Sequence, residues 1–406
     1  MKIAINIENF SKEKGGAEVY AVGLAQAMAE RGHEVHILAY SWYKNCEKDF
    51  CCHKIPKALF RTFRDLKFTR HSQKELGKEK FDLCLSLSRT IKTEIYQPHG
   101  GVHKAFLQKE LKSFPNPFIK LTKSFLRKIS LRHFLINRIE EDIFNKRDII
   151  VVALSKMVRS DILSFYEFPE DKIKVIYNGV DLKKFSLENK NGYRNEIRNR
   201  HSIEDEDLLI LFIANNFRLK GLSNLMHAAA LMKKNIHAGF KFRVLVLGGG
   251  KKSPYERLAL KLGCRDEFTF IGKIKEIEKF YAAADVLAQP TFYDVCSLAT
   301  LEAMASGLPV VTTSHNGSGE LINDGENGFI LDDPLNFSEL SKKLLIFLDR
   351  NFRNKVGANA RKKVENHSIH KNTEEILMLC EEVTQKKRKI EPQSRGRNLL
   401  RFELSP

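Results

Sequence analysis

Residues 284–313 constrain the fold of this chain more than any other stretch. Residues 284–290 form a short apolar run that reads as a buried strand emptying into a loop. Residues 298–306 then carry Leu, Ala, Glu and Met with apolar positions about 3.6 apart, which predicts a helix. Gly307 suits the position just past a helix end, and Pro309 cannot continue one. The β-branched run 310–313 predicts the next strand. Strand, loop, helix and strand in that order make the repeating unit of a parallel α/β sheet.

Two carboxylates sit in this unit. Asp294 falls in the loop at the strand's carboxyl end, and Glu302 falls about one turn into the helix. Ligands of open α/β sheets bind at the carboxyl ends of strands. The first-turn N–H groups near Ser297 and Leu298 suit phosphate oxygens. A carboxylate repels phosphate, but it accepts hydrogen bonds from hydroxyls, and a vicinal diol donates two. A pocket for a sugar together with a phosphate is therefore expected.

A chain of 406 residues exceeds one ordinary core, so two domains are expected, at 1–182 and 183–384, with a basic tail over 385–406. The opening residues 1–7 read as a strand rather than a secretory leader, and no apolar run is long enough to span a bilayer. Seven cysteines without regular spacing suit a reducing compartment. Cys46, Cys51, Cys52 and His53 fit no zinc pattern and read as ordinary thiols with a neighbouring histidine. The net charge of +18 calls for an anionic partner: lipid head groups, phosphorylated glycan, nucleotide or nucleic acid.

In the first half, Gly15 and Gly16 precede a helix expected over 18–31, and a strand is expected over 34–39. The order is Rossmann-like, without a dinucleotide fingerprint. The glycine pair is either a tight turn or a ligand loop. Further strands are expected over 81–87, 94–97 and 149–153. His99, with His103 behind it, lies in a glycine-containing loop at a strand end, where it either approaches a ligand or makes local hydrogen bonds. The stretch from Leu111 to Ile139 holds seven Lys or Arg residues, no acid, and interleaved Phe, Leu and Ile. It predicts a basic amphipathic helix or helix pair, read as a solvated face, an anionic-lipid surface or a phosphate tract; no nucleic-acid motif accompanies it.

In the second half, strands are expected over 208–214, 242–247 and 268–271. Arg218 and Lys220 stand in the first strand-end loop, where two cations can neutralise a diphosphate. No paired-acid loop suited to a metal is seen.

Five segments together resemble the family 4 retaining glycosyltransferases. They are GGAEVYAVGLAQAMAERGHEVHIL at 15–38, VIYNGVDLKKF at 175–185, FRLKGL at 217–222, EAMASGLPVV at 302–311 and GELINDGENGFIL at 319–331. The resemblance implies a GT-B fold: two Rossmann-like domains, an acceptor half and a nucleotide-sugar half, with a cleft between them. It implies Gly15 and Gly16 near the donor phosphates, and Arg218 and Lys220 on the diphosphate. The base would lie at Lys273 and Ile274, and the ribose diol on Glu302. Asp294 would hold the donor sugar and His99 would face it, so that His99, Lys220 and Asp294 are the catalytic candidates. The chain departs from the family in having Asp294 for the usual Glu, and Val295-Cys296-Ser297 for a glycine-containing turn.

Lipopolysaccharide-core glucosyltransferases of this family carry a similar basic insertion, expected here over about 104–147. The resemblance thus implies metal-independent transfer from UDP-glucose to a membrane-borne glycan, with no cofactor, at the cytoplasmic face of the inner membrane. Rival readings are a phosphorylase or epimerase on the same fold, and a non-catalytic protein binding membrane or nucleic acid.

Overall fold

The computed structural model describes residues 1–13, 15–236 and 239–399, the last ten by their helical backbone. The end of the expected tail, 400–406, lies outside the described residues. Two parallel sheets carry the chain. The first contains β1 (Lys2–Asn6), β2 (Glu34–Ala39), β3 (Cys51–Lys54), β4 (Leu83–Ser86), β5 (Ile95–Tyr96), β6 (Ile150–Ala153) and β7 (Ile173–Val175). The second contains β8 (Leu208–Ile213), β9 (Phe242–Leu247), β10 (Phe268–Gly272), β11 (Val286–Gln289), β12 (Val310–Thr313) and β13 (Gly328–Leu331).

Their spatial orders are β3-β2-β1-β4-β5-β6-β7 and β10-β9-β8-β11-β12-β13. Each sheet therefore reverses direction of winding beside its first strand, which is the doubly wound arrangement, and ligands of such sheets bind at that switch point. Strand β8 shows why such sequences read as unbroken apolar runs. Leu209 and Leu211 enter one core cluster, while Leu208, Ile210 and Phe212 enter another on the opposite face.

Helix α1 (Gly16–Glu30) covers the first sheet, and Gly32, at φ +79°, takes the left-handed turn that ends it. The basic stretch resolves into α2 (His103–Lys112), α3 (Pro117–Lys128) and α4 (Leu131–Phe144). Asn116 caps α3 by accepting from Phe118 N at 2.8 Å, and Pro117 takes the first helical position. No residue of α3 is buried. Ser155 caps α5 (Lys156–Phe165) by accepting from Val158 N. Helix α6 (Leu298–Ala305) follows β11.

The last helix, α7 (Ile369–Leu399), returns to the first sheet and places Ile376, Leu377, Leu379 and Cys380 in its core. Each such apolar side chain contributes about 1.5–3 kcal/mol of burial. The stretch 385–399, expected as a tail, is helical: Lys387 donates to Glu94 at 2.7 Å and Arg388 to Asp82 at 2.9 Å. These acids explain why the helix continues along the first domain. Among the described residues, no helix is long and apolar enough to cross a membrane.

Candidate active site in the interdomain cleft

The second-domain wall is built from two strand-end loops pressed together. Gly221 has φ +79°, and a Cβ there would lie 2.0 Å from Pro290 O, so only glycine lets the loop after β8 close on the loop after β11. This approach brings Lys220 Nζ into an ion pair with Asp294 Oδ2. Asp294 is held by its backbone: its N–H donates to His315 O at 2.9 Å, and its carbonyl accepts from Gly317 N at 2.8 Å.

Glu302, on α6, accepts from Tyr281 Oη at 2.8 Å. Burial pushes its carboxyl above the ordinary 4.5, against the pull of the Tyr281 hydrogen bond and Lys184. Ser297 is turned inward. Its hydroxyl donates to Gln289 Oε1 at 2.8 Å and caps Thr300 N, and its N–H faces Asn316 Oδ1 at 3.4 Å. Ser297 therefore shapes the helix start, and Leu298 begins the first-turn N–H groups that no intrahelical bond satisfies. Lys273 lies across Gly249, where a Cβ would come within 2.4 Å of its Cε, and Ile274 packs half-buried on the core.

The first-domain wall meets this from the other side. A Cβ on Gly16 would come within 3.1 Å of Leu298 Cδ1, so the Gly15-Gly16 loop sits directly against α6. His99 lines a cavity of about 250 Å³ together with Glu8, Asn9, Glu18 and Ser88. Its Nε2 is buried without a hydrogen-bond partner, and its ring lies 4.8 Å from that of Tyr20. Burial pushes its imidazole down to about 3, so it is neutral near pH 7. His103 is committed elsewhere: its Nε2 meets His133 Nδ1 at 3.0 Å, and its backbone N–H donates to the buried Glu140 at 2.9 Å.

Arg218 does not join Lys220. Its guanidinium pairs with Glu110 on α2, bonds Ser113 Oγ, and lies 3.8 Å over the Phe114 ring. Arg127 of α3 shares Glu110. These groups wall a second cavity of about 650 Å³, lined also by Arg61, Arg89, Lys123 and Arg132. Arg127 and Arg218 share Glu110 and Arg89 pairs with Glu140 and Asp65, while Arg61, Lys123 and Arg132 add further positive charge, so the cavity favours an anion.

Several contacts between the halves have no obvious sequence signal. Tyr293 Oη donates to Asp161 Oδ2 at 3.2 Å, and Tyr293 and Val295 both press on Gly101. Glu320 accepts from Lys156 N at 2.8 Å, Met157 N at 2.7 Å and Tyr177 Oη at 2.7 Å. It thereby caps a helix of the other domain. Asn178 Nδ2 donates to Cys296 O at 3.0 Å. The unusual Val295-Cys296 turn is thus a seat for the first domain.

A family model described as Glycosyltransferase Family 4 matches residues 14–184, and one described as Glycosyl transferases group 1 matches residues 193–363. Lipopolysaccharide glucosyltransferase WaaG of Escherichia coli is 23% identical over 333 residues, 81% of this chain and 85% of that protein. An uncharacterised glycosyltransferase of Methanocaldococcus jannaschii is 32% identical over 222 residues, and the match spans 53% of this chain and 55% of that relative. The crystal structure of WaaG, a glycosyltransferase involved in lipopolysaccharide biosynthesis, superposes with a TM-score of 0.77 at 21% identity, covering 92% of this chain and 98% of that one. Anabaena HepE in complex with UDP-glucose gives 0.70 at 16% identity, covering 94% and 100%. These superpositions show the GT-B fold.

Proposed function

The chain belongs to the family 4 glycosyltransferases, and on that premise we propose that it moves glucose from UDP-glucose to a membrane-borne anionic glycan, retaining the anomeric configuration. The observation that carries the reading is the Lys220–Asp294 pair in two strand-end loops of the second sheet, beside the helix that bears Glu302 and whose Leu298 lies against Gly16. The relative WaaG, named as a lipopolysaccharide glucosyltransferase, and a UDP-glucose complex of the same fold support the choice of donor and acceptor class.

In this mechanism the bond from the anomeric carbon to the diphosphate oxygen breaks, and a bond to an acceptor hydroxyl forms on the same face. Negative charge develops on the departing diphosphate. Lys220 and the first-turn N–H groups from Leu298 meet it without a metal, and one such aimed donor contributes about 2.7–4 kcal/mol. Glu302 holds the ribose diol, and Asp294 exchanges Lys220 for hydroxyls of the sugar. Neutral His99 lines the far side of the sugar pocket, where its free Nε2 hydrogen-bonds a hydroxyl.

The acceptor is assigned to the cavity walled by Arg127, Arg132 and Arg218, whose charge suits a phosphorylated glycan. Helix α3 stands beside it with Phe118, Leu121 and Phe125 exposed among Lys120, Lys123 and Lys128. That face suits an anionic leaflet, at ~1 kcal/mol per basic residue near the surface. The protein would then act as a peripheral enzyme at the cytoplasmic face of the inner membrane. The glycosyltransferase family matches favour this reading over a purely binding role.

Hydrolysis of radiolabelled UDP-glucose without acceptor tests the reading. Slow release of glucose and UDP that disappears in Lys220→Ala is expected. Equal release by the variant, or none from any UDP-hexose, contradicts it.

A further inference from the structure

We propose that the edge of the first sheet holds a zinc ion between His36 Nδ1, His53 Nε2 and a carboxylate oxygen of Glu79. Strand β3 is the outermost strand of that sheet, and its sequence, CCHK, has little apolar content to hold it there. It pairs with β2 so that His36 stands opposite Cys51 and Leu38 opposite His53. Side chains two apart on a strand share a face, so both imidazoles rise from the same side of the sheet. Their rings stack at 5.0 Å between centroids, and Nδ1 of His36 lies 2.7 Å from Nε2 of His53.

The far side of His36 fixes its tautomer. Nε2 lies 2.7 Å from Glu34 Oε1 and donates to that carboxylate, which leaves a lone pair on Nδ1. A carboxylate behind a histidine is the usual outer partner of a metal-bound imidazole. Glu79 supplies the third ligand: its oxygen and both nitrogens lie within 4.8 Å of one another. Phe81 closes one side, edge-on to His36 at 5.1 Å and to His53 at 6.4 Å. The three ligands come from β2, from β3 and from the chain just before β4, so the spacing of cysteines could not reveal them.

Two imidazoles and one carboxylate suit zinc better than magnesium or calcium, and leave a fourth position for water. With Zn–N bonds of about 2.0–2.1 Å, tetrahedral nitrogens stand roughly 3.3 Å apart. The histidine pair therefore opens by about half an ångström, and His53 gives up its Nε2 proton to its other nitrogen. Lys2 now holds the place of the cation, with Nζ 2.7 Å from Glu79 and 3.4 Å from Glu34. Zinc displaces it. Because Lys2, Glu34 and Glu79 all lie at the amino ends of strands, the ion sits away from the cleft, which opens at the carboxyl ends. Its role is to pin β3 to the sheet, not to take part in transfer.

The test uses the full chain, stripped with a chelator and titrated with zinc chloride against a chromophoric indicator, with Tm followed in parallel. One equivalent should bind with a submicromolar Kd and raise Tm by a few degrees. His53→Ala and the more exposed Glu79→Gln should each weaken binding about tenfold or more, with unchanged far-ultraviolet circular dichroism expected for Glu79→Gln. Cys51→Ser should leave it unchanged. Absence of stoichiometric binding, equal affinity in Glu79→Gln, or dependence on Cys51 in place of His53 would overturn the proposal. Acceptor-free hydrolysis of UDP-glucose should be the same with and without zinc, so the two accounts fail separately.

Discussion

Lys220 and Asp294, one at the end of β8 and the other at the end of β11, are ion-paired to each other, both largely buried. Each satisfies the charge of its neighbour, and on the proposed mechanism a bound donor separates them. Their replacement should therefore have unequal effects. Lys220→Ala should lower kcat by about 10²–10³ and weaken UDP binding. Asp294→Asn should lower kcat about tenfold or more while UDP binds as well or better, because Lys220 is released. Calorimetry with UDP beside a transfer assay distinguishes them; equal weakening of UDP by both variants contradicts the pairing account.

On the proposed mechanism Glu302 ties donor binding to pH. If its raised carboxyl is to accept both ribose hydroxyls it is ionised in the complex, so donor binding should favour the deprotonated form. As pH falls, UDP affinity should begin to drop above the ordinary glutamate value of 4.5. Glu302→Gln should bind UDP about tenfold more weakly at neutral pH, since hydrogen bonds to a charged group each contribute about 1.5–3 kcal/mol. It should also lose that acid-side slope, as read by calorimetry across pH.

Arg218 is expected to act on the acceptor, in contrast to the family pattern. It lines the basic cavity and pairs with Glu110. Arg218→Ala should raise the KM for a phosphorylated acceptor about tenfold and change the Kd of UDP less than about threefold. The reverse split would return Arg218 to the diphosphate.

Helix α3 should dock on anionic lipid. Replacing Lys120, Lys123 and Lys128 by Glu should reduce binding to anionic vesicles by at least about tenfold. Phe118→Ser with Phe125→Ser should weaken it further, by loss of exposed apolar surface. Vesicle sedimentation checks both; equal retention on neutral vesicles contradicts the assignment.

His99 should make the fold acid-sensitive. Folded, it stays neutral down to pH about 3, whereas unfolded histidine titrates near 6.5. Between those values the unfolded chain binds the extra proton, so stability falls as pH drops through that window. His99→Asn should recover roughly 2 kcal/mol of the difference between pH 7 and pH 5, measured by urea unfolding.

Much of the scaffold was legible because parallel strands buried on both faces leave unbroken apolar runs. Strands β2, β9 and β12 have the expected bounds. Strand β3 was not legible, since an edge strand of Cys, His and Lys carries no apolar pattern. The helical continuation over 385–399 was missed because its partners, Glu94 and Asp82, are 293 and 306 residues away in sequence. The strand-end loops of Lys220 and Asp294 and the helix of Glu302 could be placed from the sequence, while the donor contacts given to these residues rest on the family resemblance. The engagement of Arg218 with Glu110 and of Glu320 with α5 could not be placed, because both bonds cross between domains. Ser297 was placed correctly at the helix start, but its inward hydroxyl depends on Gln289, a contact made only by the folded sheet.

A crystal structure with UDP bound tests the central claim most directly. The account predicts the diphosphate between Lys220 Nζ and the N–H of Leu298, with both ribose hydroxyls on Glu302. A nucleotide lying outside the cleft, or a diphosphate held away from the Lys220 loop, would contradict it.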